Sequence, residues 1–192
     1  NLWQGLDPQD AACASASQLQ CDLPILANAD SVRIPLYNIR LEDGGVSHVI
    51  LANRSGVREC FDICKSSLRV DCAGIELNFE FEHGTQEVDW SKPWRELKRY
   101  VLGRAEHIKG VILKQKPRFV VIHCRDARHR APCFSVCLDI VANRVTRDES
   151  RQRLDELRPT NECVWNSVEL YIESHVLING KEDPSTTPMA IE

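Results

Sequence analysis

The segment "RFVVIHCRDARHRAP", Arg118 to Pro132, constrains the fold more than any other stretch of the chain. Its apolar run lacks the alternation of a half-exposed strand, so as a strand it needs cover on both faces. It is followed, after one short charged loop, by "APCFSVCLDIVANRV", which reads as an apolar helix. A buried strand that feeds a helix through a short loop belongs in a sheet flanked by helices.

The rest of the sequence supplies partners for that unit. "VSHVILAN" is a compact apolar strand, "GVRECFDICKSSL" a short helix, and "IELNFEF" alternates Ile75, Leu77, Phe79 and Phe81, which predicts a strand. "WSKPWRELKRYVLGRAEHIKGVILKQ" places Trp94, Leu97, Tyr100 and Val101 at helical spacing, so a long helix should run up to Pro117. "TRDESRQRLDELR" predicts an amphipathic helix opening on Thr146 or Asp148, and "NECVWNSVELYIESHV" another helix. Near the start, a short strand, a turn at Asp7-Pro8 and a helix from about Gln9 to Leu19 are expected, then a strand-containing excursion over about residues 21–44. Alternating strands and helices predict an α/β domain, residues 1–178, with a mixed or parallel central sheet covered on both sides; residues 179–192 read as a disordered tail.

Composition narrows the function classes. With 192 residues and a net charge of −4, no chain-wide positive field recruits nucleic acid or anionic lipid, and any anion site must be local. No run of 18 apolar residues and no leader pattern is present, which favours a cytoplasmic or nuclear protein without a membrane anchor. The absence of an initiating Met suggests a domain from a longer chain. Nine cysteines are too sparse for a disulfide scaffold. The i,i+4 pairs Cys60/Cys64 and Cys133/Cys137 lack further ligands for zinc, so no metal or cofactor is expected.

Cys124 falls at the carboxyl end of the apolar strand, and Arg130 follows with five residues between them. A strand, a loop and a helix N-terminus direct free N–H groups and a positive helix end at one spot, a ready site for an anion. The loop is long enough to curl round a tetrahedral dianion, with the thiol beneath it and the guanidinium beside it. The same donors favour the thiolate, the nucleophilic form. The residues alone leave other readings open: a buried thiol beside a surface arginine, or a rhodanese-type sulfur-handling loop. Arg125 and Arg128 read either as solvated charge or as a rim that attracts phosphorylated substrate. Cys133 and Cys137 read as helix packing or as partners for an oxidised Cys124.

"HCRDARHRAP" resembles the HCxxGxxR signature of the cysteine-dependent protein tyrosine phosphatases, in particular the small atypical dual-specificity phosphatases whose loop runs H-C-R-E-G-Y-S-R-S-P. His123, Cys124, Arg125, Arg130 and Pro132 match, and Asp126 replaces the Glu. The similarity extends over about Leu2 to Val176, with residues 21–44 as an insertion. It implies hydrolysis of phosphotyrosine or phosphoserine/threonine in a phosphorylated protein, or of another phosphomonoester, through a cysteinyl-phosphate. Cys124 would be the nucleophile, Arg130 the phosphoryl-binding residue and His123 an influence on the thiol's ionisation. Backbone N–H groups of Arg125, Asp126, Ala127, Arg128, His129 and Arg130 would line the cradle.

Three departures qualify that implication. Ala127 stands at the loop glycine, where a positive φ would add strain of order 1 kcal/mol. Ala131 stands where the family has a hydroxyl donor to the sulfur, which predicts slow breakdown of the phospho-enzyme, and His129 takes a usually small position. The general acid is the third departure. The run "FEHGTQEVDW" aligns Gly84 with the family's Asp, leaving Glu82, His83, Glu87 and Asp89 as candidates to replace it. The expectation is therefore a weakened phosphatase, with a phosphate-binding or scaffolding pseudophosphatase as the alternative.

Overall fold

The computed structural model of the protein describes residues 30–63, 65–78 and 80–157. The expected opening strand and helix, the helix over "NECVWNSVELYIESHV" and the tail lie outside the described residues. In chain order the elements are β1 (Arg33–Arg40), β2 (Val46–Ala52), α1 (Arg54–Ile63), β3 (Ser67–Asp71), β4 (Thr85–Glu87), α2 (Trp94–Gln115), β5 (Phe119–His123), α3 (Arg130–Asn143) and α4 (Arg147–Leu157). The strands form one mixed sheet in the order β1-β2-β5-β3-β4. Only β1, the hairpin partner of β2, runs antiparallel to its neighbour. Thus the described part of the segment read as an excursion, residues 30–44, contains an edge strand of the sheet and its turn.

The central strand β5 has no exposed residue because each face meets a different layer. Val120 and Ile122 pack into the larger core with Val49 and Leu51 of β2, Leu68 and Val70 of β3, and the apolar faces of α2 and α3. Phe119 and Val121 face the other way, into a smaller core with Ile50, Ala52, and Val57 and Cys60 of α1. Period-2 alternation therefore survives inside a uniformly apolar strand, hidden because both faces are covered.

The ends of the long helix follow its sequence. After Gln115 the chain passes through Lys116 at φ 52, whose N–H closes on the carbonyl of Ile112, and Pro117 then prevents continuation. α4 opens with a reciprocal capping box: Glu149 accepts from the N–H and hydroxyl of Thr146 at 2.8 Å each, and the Glu149 N–H reaches back to the Thr146 hydroxyl. Of the two expected starts, Thr146 and Asp148, the cap is Thr146, and the helix proper begins at Arg147.

The expected strand over "IELNFEF" is not formed. Asp71, the last residue of β3, accepts the N–H groups of Ala73, Gly74 and Ile75 on its carboxylate, and Gly74 takes φ 63. These bonds turn the chain off the sheet. Leu77 and Phe81 pack instead onto the smaller core. The edge position goes to the short polar strand β4, whose register pairs Asp71 with Glu87. Apolar alternation marks a buried face, and a loop that lies across a core buries one as well as a strand does.

α3 is held in place by polar contacts at its middle and end. The Tyr37 hydroxyl of β1 donates to the Ser135 carbonyl at 2.6 Å. The buried Asp139 carboxylate accepts from Ser150 at 2.7 Å, Asn143 at 2.8 Å and Arg153 at 2.8 Å, joining α4 to α3. Burial pushes the Asp139 carboxyl up, against the opposing pull of those donors. The helix so anchored is the one whose N-terminus adjoins Cys124. No helix among the described residues is long and apolar enough to cross a membrane.

Candidate active site

Cys124 follows directly on β5, at the carboxyl end of the parallel strands, and is 3% exposed. The chain then passes through five loop residues and enters α3 at Arg130, a helix of 14 residues. Its carboxyl-end location and the long helix behind it are where an α/β sheet concentrates free N–H groups and positive potential. The Arg125 carbonyl accepts the Arg54 amide at 3.3 Å, joining the loop to the first residue of α1. His129 is the N-cap of α3; its carbonyl accepts the Cys133 N–H at 3.2 Å, and its side chain makes no cap bond. Arg125, Asp126, Arg128 and His129 are exposed, Arg130 is half-buried, and Ala127 is buried with φ 53. The left-handed backbone that a glycine would favour is thus present with an alanine in it.

Across the sheet, Asp71 and His123 are register partners and the Cys72 N–H donates to the His123 carbonyl at 2.8 Å. Cys72 and Cys124 are the residues that follow β3 and β5, and both belong to the larger core. Burial above all pushes the Cys72 thiol well above its ordinary value; the neighbouring Cys124 and Asp71 raise it further, and Trp90 and Arg130 lower it. The Trp90 indole N–H, although turned toward that sulfur, is buried and makes no hydrogen bond of acceptable geometry.

No family model matches the sequence, and no curated protein matches it. Solved structures do match the fold. A point variant of human DUSP28 superposes with TM-score 0.53 at 14% identity, covering 75% of this chain and 98% of that one. The chain has the fold of the dual-specificity phosphatases. A mouse structure complexed with zinc tungstate, named a putative dual specificity phosphatase, gives TM-score 0.53 at 14% identity over 69% of this chain and 85% of that one. OH1 of the Orf virus, a tyrosine phosphatase, gives 0.52 at 10% over 68% and 84%.

Within this dual-specificity phosphatase fold the sequence candidates separate by strand direction. β4 runs parallel to β3 and β5, so residues after it lie at the Cys124 end of the sheet and residues before it at the opposite end. Glu82 and His83 bond through their N–H groups to the carbonyls of Lys65 and Ser67, at the start of β3. Gly84 adjoins them, with φ 80, and its carbonyl accepts the Arg69 N–H. The structure does not bring these three to Cys124. Glu87 ends β4 exposed, its carbonyl held by Arg104. Asp89 follows at the Cys124 end. Its Oδ1 accepts the Ser91 N–H at 2.9 Å and hydroxyl at 2.6 Å, and Lys92 lies 3.8 Å from Oδ2. Those donors hold the Asp89 carboxyl below its ordinary value.

His123 is fully buried. Its Nε2 accepts from Arg69 Nε at 3.1 Å, and Arg69 Nη2 also donates to Asp71 Oδ2 and the Ile75 carbonyl at 2.9 Å each. Burial and the Arg69 charge push the imidazole down to about 4 against the pull of Asp71. It is a neutral ring near pH 7, not a cation beside the thiol. Cys133 and Cys137 sit on the buried side of α3, and burial drives the Cys137 thiol up to about 12. Arg69, Asp71 and Cys72 are neighbours of the loop that sequence reading passed over. Charged Arg69 and Asp71 alternating with Leu68, Val70 and Cys72 in "SLRVDC" is the sequence signal for them; no strand is expected there from the sequence reading above, and β3 takes Ser67 and Leu68 from the end of the segment expected as the helix "GVRECFDICKSSL".

Proposed function

We propose that the protein is a phosphatase that cleaves phosphotyrosine or phosphoserine/threonine monoesters through a cysteinyl-phosphate on Cys124. The observation that carries this is the loop backbone. Between a buried thiol and the first arginine of a long helix, residue 127 keeps a left-handed φ even though its side chain is a methyl group. A turn of that form gathers N–H groups around an anion, and the strain of order 1 kcal/mol from Ala127 is small beside a dianion's binding energy.

In the proposed mechanism Cys124 attacks phosphorus in line while Arg130 and the amides from Arg125 to Arg130 hold the equatorial oxygens. The P–O bond to the leaving group breaks, and water then cleaves the S–P bond. Asp89 is the acid that the fold brings to this end of the sheet. Its bonds from Ser91 favour the carboxylate, so protonation of a leaving alkoxide is weak and aryl esters are the preferred substrates. Ala131, buried beside the loop, offers no hydroxyl to the departing sulfur, so the second step is slow.

The test is hydrolysis of an aryl phosphate between about pH 6 and pH 7, with a burst measurement. Cys124→Ser should abolish turnover and leave tungstate binding. Unchanged turnover in that variant removes Cys124 from the mechanism, and tungstate binding by the unaltered protein with neither burst nor turnover selects a phosphate-binding pseudophosphatase.

A further inference from the structure

We infer that Arg69 is a positioning residue for the proposed reaction: by donating to Nε2 of His123 it fixes the imidazole hydrogen on Nδ1, the ring nitrogen nearest the main chain that enters the cradle. The inference rests on the reading of Cys124 as an anionic nucleophile. It identifies a group beneath the loop that favours that anion.

β3 and β5 are parallel, with Arg69 opposite Val121 and Asp71 opposite His123. Alternation therefore puts Arg69, Asp71 and His123 on the same face, the one that carries the smaller core. Arg69 Nε lies 3.1 Å from His123 Nε2. A guanidinium can only donate, so Nε2 must accept, and a neutral imidazole then carries its hydrogen on Nδ1. Asp71 does not compete for Nε2. Its Oδ1 is 3.7 Å away and is occupied by the N–H groups of Ala73 and Gly74. Arg69 is itself held by Asp71 and the Ile75 carbonyl, so its direction of approach is fixed.

The Nδ1–H that results is buried and has no hydrogen-bond partner. Of the two ring nitrogens, Nδ1 is the one bonded to Cγ and stays near the peptide between His123 and Cys124. In this proposal that N–H, on the residue next to Cys124, adds the positive end of a dipole to the thiol's surroundings. The other tautomer presents a lone pair, which opposes both the thiolate and a bound phosphoryl dianion. The remaining charged and titratable groups named at the site are Asp71 and Cys72 of the β3 side, Asp89 after β4, Arg54 of α1, Arg130 of α3, and Arg125, Asp126, Arg128 and His129 of the loop. All are common to the variants compared below.

The experiment compares Arg69→Gln, whose amide can still donate to Nε2, with Arg69→Met, which has no donor. Nitrogen-15 imidazole shifts report the His123 tautomer, and the pH profile of Cys124 alkylation by iodoacetamide reports the thiolate, with Cys124→Ser as the blank. The unaltered protein should show Nδ1–H. Arg69→Met should lose that tautomer, alkylate about fivefold more slowly on the acid limb and bind tungstate more weakly, while Arg69→Gln should keep the original profile. Nε2–H or rapid tautomer exchange in the unaltered protein overturns the inference without any variant needing to fold. So does a folded Arg69→Met protein with a switched tautomer and an unchanged profile. Alkylation does not require turnover, so the phosphatase reading can fail in the aryl phosphate assay while this one stands.

Discussion

Replacing His123 with Gln should make the protein more resistant to acid. The imidazole is fully buried and is pushed from an ordinary value of 6.5 down to about 4, chiefly by burial. A base whose proton affinity falls on folding favours the folded state fully above 6.5 and loses that contribution as pH drops toward 4, because the unfolded chain takes up the proton first. At about pH 4.5 the difference between the two states, at about 1.4 kcal/mol per unit, comes to about 2.5 kcal/mol, against almost none at about pH 7. Gln keeps an acceptor for Arg69 Nε and has no proton to gain. Urea unfolding at the two pH values measures the effect, since exposed carboxylates titrate alike in both proteins and cancel in the comparison. The unaltered protein should lose about 2.5 kcal/mol more than His123→Gln on acidification. Parallel loss in the two would refute the argument that His123 is neutral and buried, and with it the tautomer assigned above.

The other expectations concern the loop and the helix behind it. Ala131→Ser places a hydroxyl beside the sulfur; a hydrogen bond to a charged group of about 1.5 to 3 kcal/mol predicts a ten- to hundredfold faster steady-state rate after an unchanged burst. Asp89→Asn should slow hydrolysis of alkyl phosphates by no more than about 10²-fold and aryl phosphates far less, whereas Glu82→Gln, at the other end of the sheet, should change neither. Thr146→Ala breaks the capping box of α4 and should cost about 1 kcal/mol in urea unfolding while leaving activity intact.

Local regularities made most of the elements legible in the sequence. β2, α1, α2, β5, α3 and the Thr146 start of α4 each follow from apolar spacing, capping residues or proline within a single short window. The strand expected at "IELNFEF" was misread because the bonds that displace it converge on Asp71, four to ten residues upstream. Its apolar pattern was a true signal of burial and a false signal of pairing.

At the candidate site the division falls in the same place. The sequence by itself determined that Cys124 ends a buried strand, that Arg130 opens the next helix, and that Ala127 and Ala131 occupy the loop and its exit, because covalent spacing and local periodicity carry all of these. Tertiary structure alone decided which acids share an end of the sheet with the thiol. The direction of β4 sends Asp89 toward Cys124 and leaves Glu82 at the far end, and no local pattern reveals which way an edge strand runs. It also decided that His123 is a neutral ring held by Arg69, since a contact between residues 54 apart in sequence exists only once β3 and β5 lie side by side.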